Sequence, residues 1–152
     1  MDFINSRTRT ITEMALNGLY ERQKALASNT ANVLTPNYQR KDVEFEAQLQ
    51  NAIKLADEKE ATKLRSTQEY LENPKEAIKK YDPAREAFMS QQIDEGYVPM
   101  AVTDYTGLNH EGNNVSLENE MMQTAKTGTQ YTILSTLLGK SFDGLQQVIK
   151  GQ

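Results

Sequence analysis

The longest regular pattern of apolar and polar positions in this chain runs from Ser116 towards the C-terminus. Alternating steps of four and three residues from Leu117 reach ten positions, of which seven are apolar or aromatic and three are small. These positions, called the apolar stripe below, are Leu117, Met121, Thr124, Gly128, Tyr131, Ser135, Leu138, Phe142, Leu145 and Ile149. A mean spacing of about 3.5 residues is typical of a helix packed lengthwise against another helix. We therefore predict a terminal helix of about 33 residues, or about 50 Å.

A second helical pattern lies near the N-terminus. Thr10 followed by Glu13 fits a capping box, which predicts a helix that begins near Ile11. The apolar positions of this helix are Ala15, Leu16, Leu19, Leu26 and Ala27, and Arg22, Gln23 and Lys24 lie largely off that face. The helix is expected to end between Asn29 and Asn32, because Asn tolerates the left-handed conformation that closes helices. We predict that it packs against the terminal helix, either within one chain or between subunits.

A tight turn is predicted from Thr35 to Tyr38. Pro36 fixes its own φ, and Asn37 tolerates the positive φ that such turns often require. The chain is therefore expected to leave the first helix sharply at this point.

The middle of the chain mixes helical and extended patterns. Asp42 is predicted to cap a helix whose buried face includes Phe45, Leu49, Ile53 and Ala56. After Asp57 the apolar face fades into charged residues, which fits either a solvated helical extension or a linker. Asn73 followed by Pro74 is suited to begin a short helix. The alternation of Val98, Met100 and Val102 around a proline is that of an edge strand.

These patterns predict a mainly α-helical protein. Long N-terminal and C-terminal helices form a coiled-coil-like bundle, and a smaller middle region is irregular or partly extended. The expected division is one discontinuous helical core of residues 1–56 and 110–152, with a charged and irregular segment of residues 57–109 between its two parts.

Composition adds three constraints. Hydrophobic residues make up 38% of the chain and tryptophan is absent, so the core is thin and long helices need neighbouring chains to cover them. The net charge of -4 argues against a nucleic-acid partner, since such domains carry a basic surface. The chain has no cysteine and no apolar run of the kind found in a cleaved secretory signal.

The residues that might carry chemistry do not form a recognisable site. His110 is the single histidine, and its surroundings fail the spacing of a calcium loop, so we interpret it as a solvated loop residue. Glu118 and Glu120 are two residues apart and therefore lie on different faces of a helix, which we interpret as surface charge. We predict no enzymatic activity, no cofactor, no metal and no small-molecule substrate.

Two segments of the chain carry recognisable motifs. The first motif comprises Ser28, Asn29, Ala31, Asn32, Thr35, Pro36, Tyr38 and Arg40. The second comprises Gly112, Asn113, Val115, Leu117, Glu118, Glu120 and Met121. The first resembles the N-terminal signature of the bacterial flagellar rod and hook proteins, and the second resembles the segment that opens the other terminal helix in the same family. Thr30 replaces the usual large aliphatic residue, and Asn37 replaces the usual glycine. The matching segments leave residues 57–105 unexplained and open to interpretation as an elaboration of this protein.

The resemblance implies a structural subunit of the proximal rod of the flagellar basal body. Such a subunit is exported from the cytoplasm by the flagellar type III apparatus without a cleaved signal peptide, and it assembles helically in the periplasmic rod. The implied partners are other copies of the chain, the other rod proteins, and the junction between membrane ring and export gate with its adaptor. The alternative is a cytosolic coiled-coil adaptor or chaperone.

The expected assembly interface combines residues of both terminal segments. It comprises Leu16, Leu19, Leu26, Asn29, Asn32, Pro36, Tyr38, Leu117, Met121, Tyr131, Leu138, Phe142, Leu145 and Ile149.

Overall fold

The computed structural model describes residues 6–80, 82–84, 87–88, 91 and 96–150. In chain order its elements are α1 (Ser6–Ala31), β1 (Lys41–Glu44), α2 (Glu46–Glu72), α3 (Pro74–Lys80), β2 (Met100–Thr103) and α4 (Leu117–Lys150). The prediction of a mainly helical chain with long terminal helices is confirmed. None of the described helices combines the length and the apolar content needed to cross a membrane.

The chain divides into two compact units. The first contains the described residues of 1–46 and 99–152, and the second contains those of 47–98. The first unit holds both terminal helices and both strands, so it brings the two sequence signatures into one structure.

Helix α1 begins at Ser6, so the predicted start near Ile11 is wrong. No glycine or proline stands between Ser6 and Thr10, and the hydroxyl of Thr12 donates to the carbonyl of Thr8 at 2.7 Å, so this segment continues the helix. The predicted end is confirmed: the N–H of Asn32 donates to the carbonyls of Ser28 and Asn29 at 3.2 and 3.1 Å. The buried apolar residues of α1 are Met14, Ala15, Leu19, Ala25 and Leu26.

The predicted turn after α1 is confirmed. Thr35 donates its N–H to the carbonyl of Asn32 at 3.0 Å, and Tyr38 donates to the carbonyl of Thr35 at 3.3 Å. Asn37 has a φ of 57°, the left-handed conformation that its amide side chain tolerates.

The helix predicted to begin at Asp42 begins instead at Glu46, so the predicted start is wrong. Residues Lys41–Glu44 form strand β1, which pairs antiparallel with β2, and Val43 lies opposite Ala101. Val43 and Phe45 are both buried, a two-residue alternation typical of a strand rather than a helix. The extended pattern predicted around Met100 and Val102 is confirmed as strand β2.

The second unit contains the long helix α2 from residue 47 onwards, together with α3. The charged stretch after Asp57 is helical to Glu72, so it is the solvated extension and not the linker. Exposed hydroxyl groups along it bond back to the helix, as when Thr62 donates to the carbonyl of Glu58 at 2.8 Å. The predicted helix start at Pro74 is confirmed.

Helices α1 and α4 pack against each other in the first unit. Asn29, near the end of α1, contacts Glu120, near the start of α4, so the two helices run antiparallel within one chain. Among the described side chains of α4, those of Glu120, Thr127 and Ser141 are buried, and Leu134 and Leu138 are half-buried on the same face. Of these five residues, only Leu138 belongs to the predicted apolar stripe.

Candidate assembly site at the junction of the terminal segments

Glu120 lies at the centre of the junction between the two terminal segments. Its side chain is 0% exposed. One carboxylate oxygen accepts a hydrogen bond from Asn29 Nδ2 at 2.9 Å, and the other accepts one from Arg40 Nε at 2.7 Å. A buried carboxylate is tolerated only when it is paired and hydrogen-bonded in this way. The interpretation of Glu120 as surface charge is therefore wrong, because α1 covers its face of the helix, whereas Glu118 is exposed as expected.

Asn29 joins helix α1 to the start of strand β1. Its amide oxygen accepts hydrogen bonds from the N–H of Lys41 at 2.9 Å and from the hydroxyl of Tyr38 at 3.2 Å. Its amide nitrogen donates to the carbonyl of Lys41 at 2.7 Å and to Glu120. Both donor hydrogens and both acceptor positions of the amide are thus used, which explains how this fully buried polar side chain is accommodated.

Arg40 connects the same carboxylate to the strands. Its guanidinium donates to Glu120 through Nε and to Asp42 through Nη1 at 3.0 Å. Its backbone N–H donates to Asn114 Oδ1 at 2.7 Å. Burial alone would lower the pKa of Arg40, but the hydrogen bonds and negative charges of Glu120 and Asp42 raise it above its ordinary value. Arg40 therefore stays charged beside the buried carboxylate.

Asn113 closes the carboxyl end of α1 from the other terminal segment. Its amide nitrogen donates to the carbonyls of Asn32, Val33 and Thr35 at 3.1, 3.2 and 2.9 Å. Its amide oxygen accepts the N–H of Val115 at 2.7 Å. The last carbonyl groups of a helix have no N–H partner within the helix. Asn113 supplies hydrogen bonds to the carbonyl groups at the end of α1.

A close backbone contact completes the junction. Asn37 donates its N–H to the carbonyl of Glu111 at 2.8 Å. Gly112 has a φ of 72°, and a Cβ atom placed there would lie 2.7 Å from Asn37 Oδ1. A side chain at this position would have to displace the amide oxygen of Asn37 and would be held at a φ that favours glycine. Below, the junction network denotes Asn29, Arg40, Asn113, Asn114 and Glu120.

A second ionic contact supports β1 from the middle of α1. Arg22 donates through Nη2 to the carbonyl of Val43 at 2.6 Å and to Glu46 at 2.8 Å. Its guanidinium lies 4.7 Å from the centre of the Phe45 ring. Burial alone would raise the pKa of Glu46, but the hydrogen bonds and charge of Arg22, together with backbone N–H groups, lower it below its ordinary value.

Comparison with known proteins identifies the family. No protein-family model matches the chain. The chain is 31% identical over 139 residues to the flagellar basal body rod protein FlgB of Bacillus subtilis, covering 91% of this chain and 90% of the relative. It is 30% identical over 138 residues to FlgB of Salmonella typhimurium, covering 90% and 88% of the two chains. The chain belongs to the FlgB family of flagellar basal body rod proteins. The predicted family resemblance is thereby confirmed.

The extent of the match corrects one interpretation. An alignment that covers 91% of the chain includes the segment of residues 57–105, which the two signatures left unexplained. That segment is therefore shared with FlgB relatives and is not an elaboration of this protein. The names of these relatives describe rod components and not enzymes.

The junction network explains why the two signatures occur together in this FlgB-family chain. The N-terminal signature supplies Asn29 and Arg40, and the C-terminal signature supplies Asn113 and Glu120. Each signature satisfies buried polar groups of the other, so either one alone leaves its partner's hydrogen bonds unmade.

The residues of the predicted interface fall into distinct groups. Leu19, Leu26 and Asn29 are buried, and Leu16, Asn32, Tyr38 and Leu138 are half-buried. The exposed members are Pro36, Leu117, Met121, Tyr131 and Phe142. The side chains of Leu145 and Ile149 lie outside the described residues. Of the predicted set, Asn29 and Tyr38 bond directly to each other, and Tyr38 also meets Ser28 at 3.0 Å.

Several residues of the site were absent from the predicted interface. Arg40, Asn113 and Glu120 were recognised only as signature matches, and Arg22 was placed off the buried face. The signal that could have identified these residues is chemical complementarity. One segment supplies amides and a guanidinium, and the other supplies a carboxylate. Among the residues that the structure describes, no three histidine, aspartate or glutamate side chains gather where a metal ion would sit.

Proposed function

We propose that the chain is a structural subunit of the proximal rod of the flagellar basal body, and that it assembles through the outward faces of the α1–α4 pair. The observation that carries this proposal is the exposure of large apolar side chains on α4 although α1 is already packed against it. Met121 is 62% exposed, and Tyr131 and Phe142 are each 42% exposed.

The exposed apolar residues of α4 lie on both sides of the face that meets α1. Leu117, Met121 and Phe142 lie on one side, and Ile133 and Leu137 lie on the other. A helix that is apolar over most of its circumference is normally buried by several neighbours. Large exposed apolar patches on a folded chain are typical of interaction surfaces. Assembly would therefore place α4 against helices from more than one neighbouring subunit.

The neighbours in this proposal are further copies of the chain and the other rod proteins. At the base of the rod, the partner is the junction between membrane ring and export gate with its adaptor. The subunit reaches the periplasmic rod from the cytoplasm through the flagellar type III apparatus without cleavage of a signal peptide. Membership in the FlgB family supports this location and these partners over a cytosolic adaptor or chaperone.

The proposal is tested by placing a charge on the exposed face. Phe142→Asp should leave the isolated chain folded, because the ring is already 42% exposed, but it should prevent incorporation into basal bodies. The variant is expressed in cells that lack their own FlgB-family protein, and swimming and the subunit content of purified basal bodies are measured. Met121→Asp should act in the same direction, because Met121 is 62% exposed.

Thr136→Asp is the matched control, because Thr136 is exposed on the same helix and lies away from the apolar stripe. Cells with this variant should swim. Normal swimming with a full complement of Phe142→Asp subunits in the basal bodies would show that this face does not mediate assembly.

A further inference from the structure

Each strand of the small sheet has backbone groups that point away from its partner strand. The N–H of Asp104 donates to the carbonyl of Arg40 at 2.8 Å, which fixes the alternation along the pair. In an antiparallel pair, the residues between two hydrogen-bonded positions turn their N–H and C=O groups outward. The outward residues are Lys41 and Val43 on β1, and Ala101 and Thr103 on β2.

Side chains cover the outward groups of β1. The N–H of Lys41 donates to Asn29 Oδ1 at 2.9 Å, and Asn29 Nδ2 donates to the carbonyl of Lys41 at 2.7 Å. Arg22 donates to the carbonyl of Val43 at 2.6 Å, and the N–H of Val43 donates to Asp42 Oδ1 at 2.7 Å. The outer edge of β1 is therefore closed to a further strand.

The outer edge of β2 has no such cover. No described residue forms a hydrogen bond with the outward N–H and C=O groups of Ala101 and Thr103. Ala101 is exposed, as are Met100 and Val102 on either side of it. Charged residues and prolines commonly protect a strand edge from pairing with another chain, and the four residues of β2 include neither. The edge of β2 is therefore available to a further strand.

A second copy of the chain carries a matching edge. Among the described strands, β2 alone has an edge free for pairing, so two copies fit together with their β2 strands antiparallel. The register that satisfies the outward groups sets Ala101 of each copy opposite Thr103 of the other, with two hydrogen bonds in each of these pairs. Val102 then lies opposite Val102 of the second copy, where apolar side chains meet across the strands. Asp104 lies opposite Met100, so no like charges face each other.

We propose that two copies of the free subunit pair through their β2 strands and form one four-stranded sheet in the order β1, β2, β2, β1. The outer edges of this sheet are the covered edges of β1, so no further strand adds to it. A pair related by a two-fold axis is closed, whereas a helical assembly is open-ended. The pairing therefore goes beyond the proposed function: it shields the free edge of subunits that have not joined a rod.

Disulfide formation tests the register, because the chain has no cysteine of its own. Val102→Cys places two thiols opposite each other, at a position where the side chains of paired strands lie closest. Met100→Cys is the matched control, since Met100 lies on the same face of β2 and is more exposed, at 58% against 41% for Val102. In the proposed register its two thiols are about 13 Å apart. Under mild oxidation, Val102→Cys should form linked pairs at least about tenfold faster than Met100→Cys, because a disulfide requires a short separation.

Ala101→Pro tests the backbone pairing. Proline removes the outward N–H of residue 101 and leaves the bonds between β1 and β2, which alternate with it and use Val102. Ala101→Ser is the matched control, because it retains the N–H. In sedimentation velocity, the native chain and Ala101→Ser should form pairs as concentration rises, and the dissociation constant of Ala101→Pro should be at least about tenfold higher. Circular dichroism checks that each variant is folded.

Three outcomes would overturn the inference. Equal rates of disulfide formation in Val102→Cys and Met100→Cys would mean that the copies meet by random collision. A native chain that sediments as a monomer at every concentration would mean that a second copy does not take the edge. Folded Ala101→Pro that pairs as strongly as the native chain would place the contact elsewhere. The cysteine comparison does not depend on the folding of Ala101→Pro, and the isolated chain keeps all these results separate from the swimming test of the proposed function.

Discussion

Two kinds of face on helix α4 differ in what they bury and in what they leave exposed. On the face that meets α1, the helix turns a carboxylate inward and satisfies it with Asn29 and Arg40. On the outward faces, Met121, Ile133 and Phe142 remain exposed. The inward face therefore satisfies its buried carboxylate within one chain, while the outward faces have apolar surface for which this chain supplies no cover among the described residues.

This contrast separates folding from assembly along a single element. Directional hydrogen bonds at the junction define the conformation of the subunit before any partner is present. Apolar contacts tolerate many geometries, and they suit the proposed role of this surface in meeting neighbouring subunits of a rod. Substitutions on the two kinds of face are therefore expected to have different effects: loss of stability on the inward face and loss of assembly on the outward faces.

The largest loss of stability is expected from Asn29→Ala. The change leaves the backbone groups of Lys41 and one oxygen of Glu120 without the partner that Asn29 provides. The free energy of unfolding should fall by about 3 kcal/mol, since unmade bonds to a buried charge are costly. Urea unfolding of the purified chain measures this change.

Asn119→Ala is the matched control, because Asn119 is an exposed residue of the same helix as Glu120. It should change the free energy of unfolding by less than about 0.5 kcal/mol. Equal stability of the two variants would contradict the view that the junction network holds the terminal helices together.

A smaller loss is expected from Gly112→Ala. The added Cβ combines a positive φ with a contact of 2.7 Å to Asn37 Oδ1. Strain of this kind costs about 2 kcal/mol. Gly107→Ala provides the comparison, because its φ of 69° is similar but nothing lies within 4 Å of its added Cβ. In thermal unfolding, Gly112→Ala should have a lower midpoint temperature than Gly107→Ala. The reverse order would show that the turn adapts to the contact.

The sequence predicted those features whose causes are local. The regular spacing of apolar positions around Leu138 indicated the long helix α4. The tolerance of Asn37 for the left-handed conformation indicated the turn. Strand β1 was missed because its pairing partner, Thr103 opposite Lys41, is distant in sequence. A strand of four residues shows only a short alternation of buried and exposed positions. The residue type of Asp42, which is typical of a helix cap, therefore favoured the prediction of a helix.

The inward position of Glu120 was missed for a different reason. A charged residue is exposed in most proteins, and spacing within one helix gives no information about donors on another segment. Its partners Asn29 and Arg40 are themselves polar residues that composition assigns to the surface. Only when the two signatures are placed together do the carboxylate, the amide and the guanidinium form one satisfied group.

The smallest expected effect concerns pH and the contact between Arg22 and Glu46. The pKa of Glu46 is lowered in the folded chain, so its charged form stabilises the fold above the unfolded value of about 4.3. That contribution is lost as pH falls from this value through the lower pKa of the folded state. Urea unfolding between about pH 6 and pH 3 should therefore show a stability difference between the native chain and Glu46→Gln that shrinks on acidification.

The exposed residue Glu44, two positions earlier on β1, gives the matched variant Glu44→Gln. Its difference from the native chain should change less over the same pH range, because the geometry places the Arg22 guanidinium on Glu46 and on the backbone of Val43. If the two variants follow the same pH profile, the ionic contact between α1 and the start of α2 does not contribute to the stability of the junction. The junction network would then account for that stability without support from Arg22.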